Sequence, residues 1–187
     1  MNSLIVKKYI IVPETKSIRS HYNDDGDYCS LVLEGDYTFM VMMKPIEIID
    51  ESINYYGFDL NGATSGSKSI LGPCRPAPVR IPGGMEMYWF PHTSPLHEDC
   101  VWFALHHIDA IMPDGPNTSN VYVSGGLCFK LNASEKDVSM RYDRAEKLES
   151  RIARRKVNTF SFIMERTTDT YSVNEGKRNY IIERKKE

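Results

Sequence analysis

The stretch "MVMMKPIEIIDESINYYG", residues 40–57, marks a change from a strand pattern to a helix pattern. From Ile46 onward, apolar residues recur three or four positions apart, which places them on one face of a helix. Pro45 suits the first helical position, where its missing N–H group is not needed, and Gly57 suits a left-handed stop. We therefore predict a short helix over about 45–56. Its outward face is acidic and carries Glu47, Asp50, Glu51 and Asn54.

Strand and turn patterns surround this helix. Apolar runs bounded by turn residues predict strands, and glycine-containing turns between two such runs predict hairpins. We expect strands at "LIVKKYIIV" (4–12), "CSLVL" (29–33), "YTFMVMM" (37–43), "MEMYWFP" (85–91), "CVWFALHHI" (100–108) and "TFSFIME" (159–165). We expect one hairpin around Glu34-Gly35-Asp36, between the second and third of these strands, and another in "NVYVSGGLCFKL" (120–131). Residues 57–84 are rich in Gly, Pro and Ser, and this composition predicts a long loop with room for one short strand.

The segment 134–156 has the longest helix pattern in the chain. Ser134 is suited to cap it, and acidic residues follow in the first turn. One apolar stripe contains Val138, Tyr142, Ala145, Leu148 and Ile152. A basic stripe beside it contains Arg141, Arg144, Lys147, Arg151, Arg154 and Arg155.

These patterns predict an α+β fold. We expect a mainly antiparallel β-sheet, one short helix (about 45–56) and one long basic amphipathic helix (about 134–156). We predict that residues 1–187 form a single domain, in which segment 166–187 is a flexible tail.

Composition excludes some classes of protein and leaves others open. No apolar run of 18 residues is present, so we expect no membrane span. The four cysteines form no C-x-x-C pair, which is typical of reduced thiols in the cytoplasm. The net charge is −2, but residues 21–60 hold nine acids and one Lys, whereas 141–156 hold seven Lys/Arg and three acids. Such an asymmetry favours a polyanionic partner for the basic helix.

Three motifs suggest other chemistry. "GATSGSKS" (62–69) resembles a phosphate loop, but its glycine spacing is wrong and a residue intervenes before the Lys, so an ordinary loop is the better interpretation. A metal site built on His92, His97 and Cys100 lacks the usual ligand spacing. A hydrolytic pair, Cys100 with His107 or Ser94 with His97, has no nucleophile elbow. We predict no enzyme, metal or cofactor.

The order of several blocks resembles the ComK family of bacterial competence transcription factors over about residues 27–112. The features that carry the resemblance are Lys44-Pro45 with the following Ile-Ile-Asp50, the aromatic pair before Gly57, Phe90-Pro91 with a Thr-Ser loop after it, and Cys100-x-Trp102 with His107 beyond. The resemblance implies a cytoplasmic, nucleoid-associated activator of competence genes. It also implies binding to double-stranded A/T-rich DNA as a homodimer or higher homo-oligomer, contact with the RNA polymerase machinery, and turnover by a Clp protease with its adaptor.

The basic residues give this activity a physical basis. A/T-rich tracts have a narrow minor groove with a strong negative potential, which favours inserted Arg and Lys. We predict that Arg141, Arg144, Lys147, Arg151, Arg154 and Arg155 follow phosphates. We predict that Lys68, Arg75 and Arg80, from a loop, approach a groove edge. The alternatives are a protein-interaction module of the same fold without DNA binding, which the negative net charge favours, and a small metal-dependent enzyme.

Overall fold

Two adjacent aromatic pairs, Trp89-Phe90 and Trp102-Phe103, lie fully buried on neighbouring strands at the centre of the fold. The computed structural model describes residues 5–157. Because successive side chains of a strand point to opposite faces, each pair places one ring on each face of the sheet. The two tryptophans belong to one apolar cluster and the two phenylalanines to another, so both faces of the central sheet are covered.

The described strands form two sheets. The strands are β1 (Ile5–Val6), β2 (Thr15–Tyr22), β3 (Tyr28–Glu34), β4 (Tyr37–Val41), β5 (Val79–Ile81), β6 (Met87–Pro91), β7 (Val101–Ala104), β8 (Ile108–Gly115), β9 (Thr118–Val123) and β10 (Leu127–Leu131). A seven-stranded sheet has the order β1-β4-β3-β2-β7-β6-β5, and a three-stranded antiparallel sheet has the order β10-β9-β8. The larger sheet is mixed, because β1 pairs with β4 in parallel.

Helix α1 (Pro45–Tyr55) covers the tryptophan face of the large sheet and confirms the helix predicted from residues 40–57. Pro45 occupies its first turn, and the Glu47 carboxylate accepts a hydrogen bond of 2.9 Å from the Lys44 N–H group. Gly57 follows the helix with a φ of 82°, a conformation that glycine adopts readily. Ile49 and Ile53 are completely buried, as the spacing predicts.

Helix α2 (Leu60–Leu71) occupies 12 residues of the segment 57–84 that the sequence predicts to be a long loop, so that prediction was wrong. Asp59 caps the helix, because its side chain accepts a hydrogen bond of 2.7 Å from the Gly62 N–H group. Leu60 and Ala63 pack against the core. Gly, Ser and Thr have low helix propensity, and here the cap and the packing outweigh that preference.

Helix α3 (Glu135–Val157) and the small sheet cover the phenylalanine face. Ser134 precedes the helix, and its hydroxyl accepts a hydrogen bond of 3.2 Å from the Asp137 N–H group. The predicted apolar stripe is confirmed, since Val138, Ala145 and Leu148 are completely buried. Residues 1–153 and 154–187 cluster as separate units, and the second unit is described only as far as the end of α3.

Several strand boundaries differ from the prediction. The opening strand is only Ile5–Val6, and the sequence pattern missed β2, which begins at Thr15. The strand predicted at 100–108 ends at Ala104, after which a 3₁₀ turn (Leu105–His107) leads into β8. The alternation of buried and exposed residues that identifies a strand is weak in β2, where the first four residues are all buried.

The predicted hairpins are confirmed. Strands β3 and β4 pair around Glu34-Gly35-Asp36, and β9 and β10 pair around Ser124-Gly125-Gly126. The strand predicted at 159–165 and the flexible tail predicted at 166–187 lie outside the described residues.

Two alanine substitutions in α2 are expected to distinguish the effect of helix propensity on stability from the effect of the Asp59 cap. Gly66→Ala should raise the free energy of unfolding by about 0.5–1 kcal/mol, because a methyl group at this position meets no atom within 4 Å. Gly62→Ala should give a smaller gain or a loss, because its methyl group would lie 2.8 Å from the Asp59 carboxylate that caps the helix. Urea denaturation of both variants measures the difference. Equal gains would show that the Asp59 cap contributes nothing.

Candidate nucleic-acid interface

A cleft of about 660 Å³ opens between α2, the start of α1, the loop before β5, the loop that follows β6, and α3. Three of the residues predicted to bind DNA line it: Lys68 from α2, Arg75 from the loop before β5, and Arg141 from α3. They are far apart in sequence and come together because α2 packs beside β5. No Asp or Glu is among the described residues that line the cleft. The cleft, which we call the basic cleft, therefore concentrates positive charge.

The Arg141 guanidinium is the least solvated of the three cations. Its Nε and Nη1 atoms are buried and have no hydrogen-bond partner among residues 5–157. Burial lowers its pKa from the usual value, an effect that the Asp137 carboxylate opposes. An arginine stays protonated at neutral pH despite such a shift. Arg141 thus presents unsatisfied donors and a charge that water screens poorly.

Trp102 forms part of the wall of the same cleft. It is 1% exposed, and its indole Nε1–H group also has no acceptor within the described part of the chain. Trp89, Phe90, Trp102 and Phe103 are all buried in the core. Nothing in the sequence indicates that one of these rings also borders a cleft.

Two residues of the basic stripe of α3, Arg141 and Arg151, lie next to α2. Arg141 borders the basic cleft, and the Arg151 guanidinium donates a hydrogen bond to the Ile70 carbonyl at the end of α2. Arg144 is partly exposed and touches the Met140 sulfur at 3.4 Å, whereas Lys147 is exposed. Arg154 and Arg155 are exposed residues in the last turn of α3.

The acids of α3 form no ion pair with these bases in the described structure. Burial raises the pKa of the Tyr142 hydroxyl, and the carboxylates of Glu146, Asp143 and Glu149 raise it further. Asp143 also lines a groove together with Arg144 and Lys147. The bases without an ion-pair partner in the described structure are available to an external anion.

Arg80 and Lys68 do not lie on a loop as predicted. Arg80 belongs to strand β5, and its guanidinium pairs with Glu86 at 2.5 Å. Lys68 lies in the last turn of α2. Among the nine predicted DNA-binding residues, Arg80 alone forms an ion pair with a carboxylate within residues 5–157. Arg80 also lies away from the basic cleft, in a groove between α2 and α3.

The structure does not bring the other candidate chemistry together. Burial raises the pKa of the Cys100 thiol to about 12, so it is not a thiolate at neutral pH. Both ring nitrogens of His107 have other partners, the Ser124 hydroxyl at 2.7 Å and the Pro13 carbonyl at 2.8 Å. Within residues 5–157, no three His, Cys, Asp or Glu side chains form a group able to hold a metal ion. No helix in that range is long and apolar enough to cross a membrane.

Comparison with known proteins agrees with the resemblance read from the sequence. The model of the family described as "ComK protein" matches residues 6–157. The chain belongs to the ComK family. A relative, the competence transcription factor of Bacillus subtilis (strain 168), is 26% identical over 110 residues, which cover 59% of this chain and 57% of the relative. No solved structure matches. The relative's name describes a transcription regulator, in agreement with the prediction that this chain is not an enzyme.

Sequence reasoning missed the polar residues that α2 and the loop after β6 contribute to the basic cleft. Asn61 and Thr64 line it from α2, and Thr93 and Ser94 line it from that loop. The Thr-Ser loop after Phe90-Pro91 is one of the features that carry the ComK resemblance, and it is a signal in the sequence for Thr93 and Ser94. The sequence predicts a loop at 57–84, and a loop does not place Asn61 and Thr64 on the same face as Lys68.

His92, which was considered as a metal ligand, is expected to make stability depend on pH. It is 3% exposed, and its Nδ1 accepts a hydrogen bond of 2.9 Å from the Val101 N–H group. Burial lowers its pKa from 6.5 to about 4. Protons therefore bind the unfolded chain preferentially, and stability is lost as the pH falls from about 6.5 toward 4, by up to about 3 kcal/mol.

His92→Asn keeps an acceptor for the Val101 N–H group and removes the titrating ring. We expect urea denaturation at pH 7 and pH 4.5 to show a smaller loss of stability in this variant than in the wild type. The same loss in both proteins would show that other groups cause the acid sensitivity.

Proposed function

We propose that this chain is a DNA-binding transcriptional activator of competence genes that binds A/T-rich promoter boxes through the minor groove and the phosphate backbone. The observation that carries the proposal is that the six bases of the α3 stripe form no ion pair with a carboxylate in the described structure. Family membership and the name of the Bacillus subtilis relative support the same activity.

The two groups of predicted residues have different roles in this proposal. Neutralisation of phosphates by exposed Lys and Arg releases counterions, which stabilises binding to any duplex. The minor groove distinguishes A·T from G·C pairs by its width and potential more than by hydrogen bonds. We assign the first role to the bases of α3, namely Arg141, Arg144, Lys147, Arg151, Arg154 and Arg155. We assign the second to Lys68, Arg75 and Arg80.

The partners expected from the family follow from this activity. We propose that the protein acts in the cytoplasm at the nucleoid, as a homodimer or higher homo-oligomer on DNA, and that it contacts RNA polymerase. We also propose that residues 1–187 act as one domain and that a Clp protease adaptor controls its level. A protein-interaction module without DNA binding is the second candidate, and the acidic outer face of α1, with Glu47 and Glu51, favours it.

Fluorescence anisotropy with two labelled duplexes of equal length, one with A/T tracts and one rich in G/C, tests the proposal across a salt series. Tighter binding to the A/T duplex, with a steep dependence on salt, is the expected result. Weak and equal binding to both duplexes would contradict it and favour the protein-interaction module.

Removal of two cations from α3 is expected to weaken binding to both duplexes alike. Arg144→Gln with Lys147→Gln should lower affinity for both duplexes by the same factor and reduce the slope of log K against log salt by up to about 2, since each phosphate contact contributes about 0.9. The matched control is Lys8→Gln with Lys44→Gln, which removes the same charge from side chains paired with Glu51 and Glu47. An equal loss in the control would mean that only net charge matters.

Arg75→Ala is expected to reduce the preference for A/T over G/C more than it reduces total affinity. Arg75 is exposed and has no carboxylate partner in the described structure, so its removal disturbs little else. Arg80→Ala is a less informative variant, because it also leaves Glu86 without its ion pair. The ratio of the two dissociation constants measures the preference. An unchanged ratio for Arg75→Ala would assign groove contact to other residues.

A further inference from the structure

The basic cleft has the size and lining of a small-molecule site. Ligand pockets in proteins measure about 300–1,000 Å³ and are mostly apolar, with a few polar groups that fix orientation. This cleft of about 660 Å³ is lined mainly by aliphatic, proline and tryptophan side chains, with three cations. A backbone phosphate of a duplex has no need of such an apolar wall, because it stays hydrated on its outer side.

Two residues that line this cleft have enclosed donors without an acceptor in the described structure. The Trp102 indole N–H group belongs to a residue that is 1% exposed, and the Arg141 guanidinium has two buried, unpartnered nitrogens. A partly buried guanidinium keeps a charge that water screens poorly, and such a charge attracts an anionic oxygen strongly.

The charge of the cleft indicates the class of ligand. Lys68, Arg75 and Arg141 supply three positive charges, and no carboxylate lies among the lining residues described. A phosphate monoester carries about −1.5 to −2 at neutral pH and has three acceptor oxygens. A monocarboxylate would leave two of the charges unpaired. The apolar wall formed by Ile46, Leu60 and Val79 is suited to a flat organic group attached to the phosphate.

We propose that the basic cleft binds a small phosphate monoester with an aromatic or apolar body, attracted by the charge of Arg141. Lys68 and Arg75, which line the same cleft, hold phosphate oxygens. Because α2 and α3 both border it, an occupied cleft fixes the position of one end of the basic stripe.

Phenyl phosphate is a suitable probe. Phenol and inorganic phosphate, which correspond to its two halves, are the comparison ligands. The chain has two tryptophans, so a ¹⁵N–¹H spectrum contains two indole N–H resonances. We expect phenyl phosphate to shift one of them strongly and saturably, and to bind at least tenfold more tightly than either half. No shift of either indole, or binding no tighter than that of inorganic phosphate alone, would overturn the proposal.

Two substitutions in the cleft locate the site. Arg141→Met should lower affinity for phenyl phosphate at least tenfold, and it should fold well because it replaces buried, unsatisfied nitrogens by an apolar chain. Lys68→Met, on a partly exposed residue, should give a smaller loss. Lys136→Met is the matched control, since Lys136 is an exposed cation in the first turn of α3 that lies outside the cleft. An equal loss in the control, or none in Arg141→Met, would overturn the assignment.

Competition with the A/T duplex relates the two proposals, because Lys68, Arg75 and Arg141 are assigned to both ligands. We expect a saturating A/T duplex to displace phenyl phosphate. If the duplex binds while phenyl phosphate binds no more tightly than inorganic phosphate, the cleft takes a phosphate of DNA and the small-molecule proposal fails, while DNA binding stands. If phenyl phosphate binds but neither duplex does, the cleft proposal stands and the proposed DNA-binding function fails.

Discussion

The burial of both faces of the central strands constrains the rest of the structure. The side chains of Trp89 and Phe90 point to opposite faces of β6, and those of Trp102 and Phe103 do so on β7; all four are almost completely buried. A sheet with aromatic side chains on both faces requires a cover on each side. Helices α1 and α2 supply one cover, and α3 with the small sheet supplies the other. The basic cleft lies where elements of the two covers approach each other at the sheet's edge.

The elements that could be predicted from the sequence have local signals for both their ends and their faces. Helix α1 has a proline at its start and Gly57 at its stop, with isoleucines at helical spacing, and the structure reproduces it within a residue of the predicted range. Helix α3 has Ser134 as its cap and a continuous apolar stripe. The sequence signals for the two glycine-containing hairpin turns are also local. In each case the signal comes from residues near one another in the chain, which a single sequence displays directly.

Helix α2 could not be predicted because its stability comes from tertiary contacts. Its composition, with Gly62, Gly66 and several Ser and Thr, favours a loop. Asp59 and the packing of Leu60 against the core supply what the intrinsic propensity lacks. The basic cleft could not be predicted for the same reason, because it also depends on tertiary contacts. The positive charge of Lys68, Arg75 and Arg141 was evident in the sequence, but their convergence depends on α2 and on the edge strand β5. The Trp102 indole N–H group, which has no acceptor in the described structure, belongs to a residue that the sequence indicates only as part of the core, and its position depends on the same packing.

The positive charges occupy two physically different environments, although the chain as a whole is slightly negative. Lys147, Arg154 and Arg155 are exposed on α3, where salt screens their attraction to phosphates. Arg141 is partly buried and screened less, so a contact with its guanidinium keeps more of its strength at high salt. An exposed stripe is therefore suited to long-range attraction that any duplex satisfies. A partly buried arginine in a cleft is suited to recognition of a particular anionic group at short range. Helix α3 carries both the exposed basic residues and Arg141. A cleft that selects ligands by shape therefore lies beside a surface that attracts any duplex.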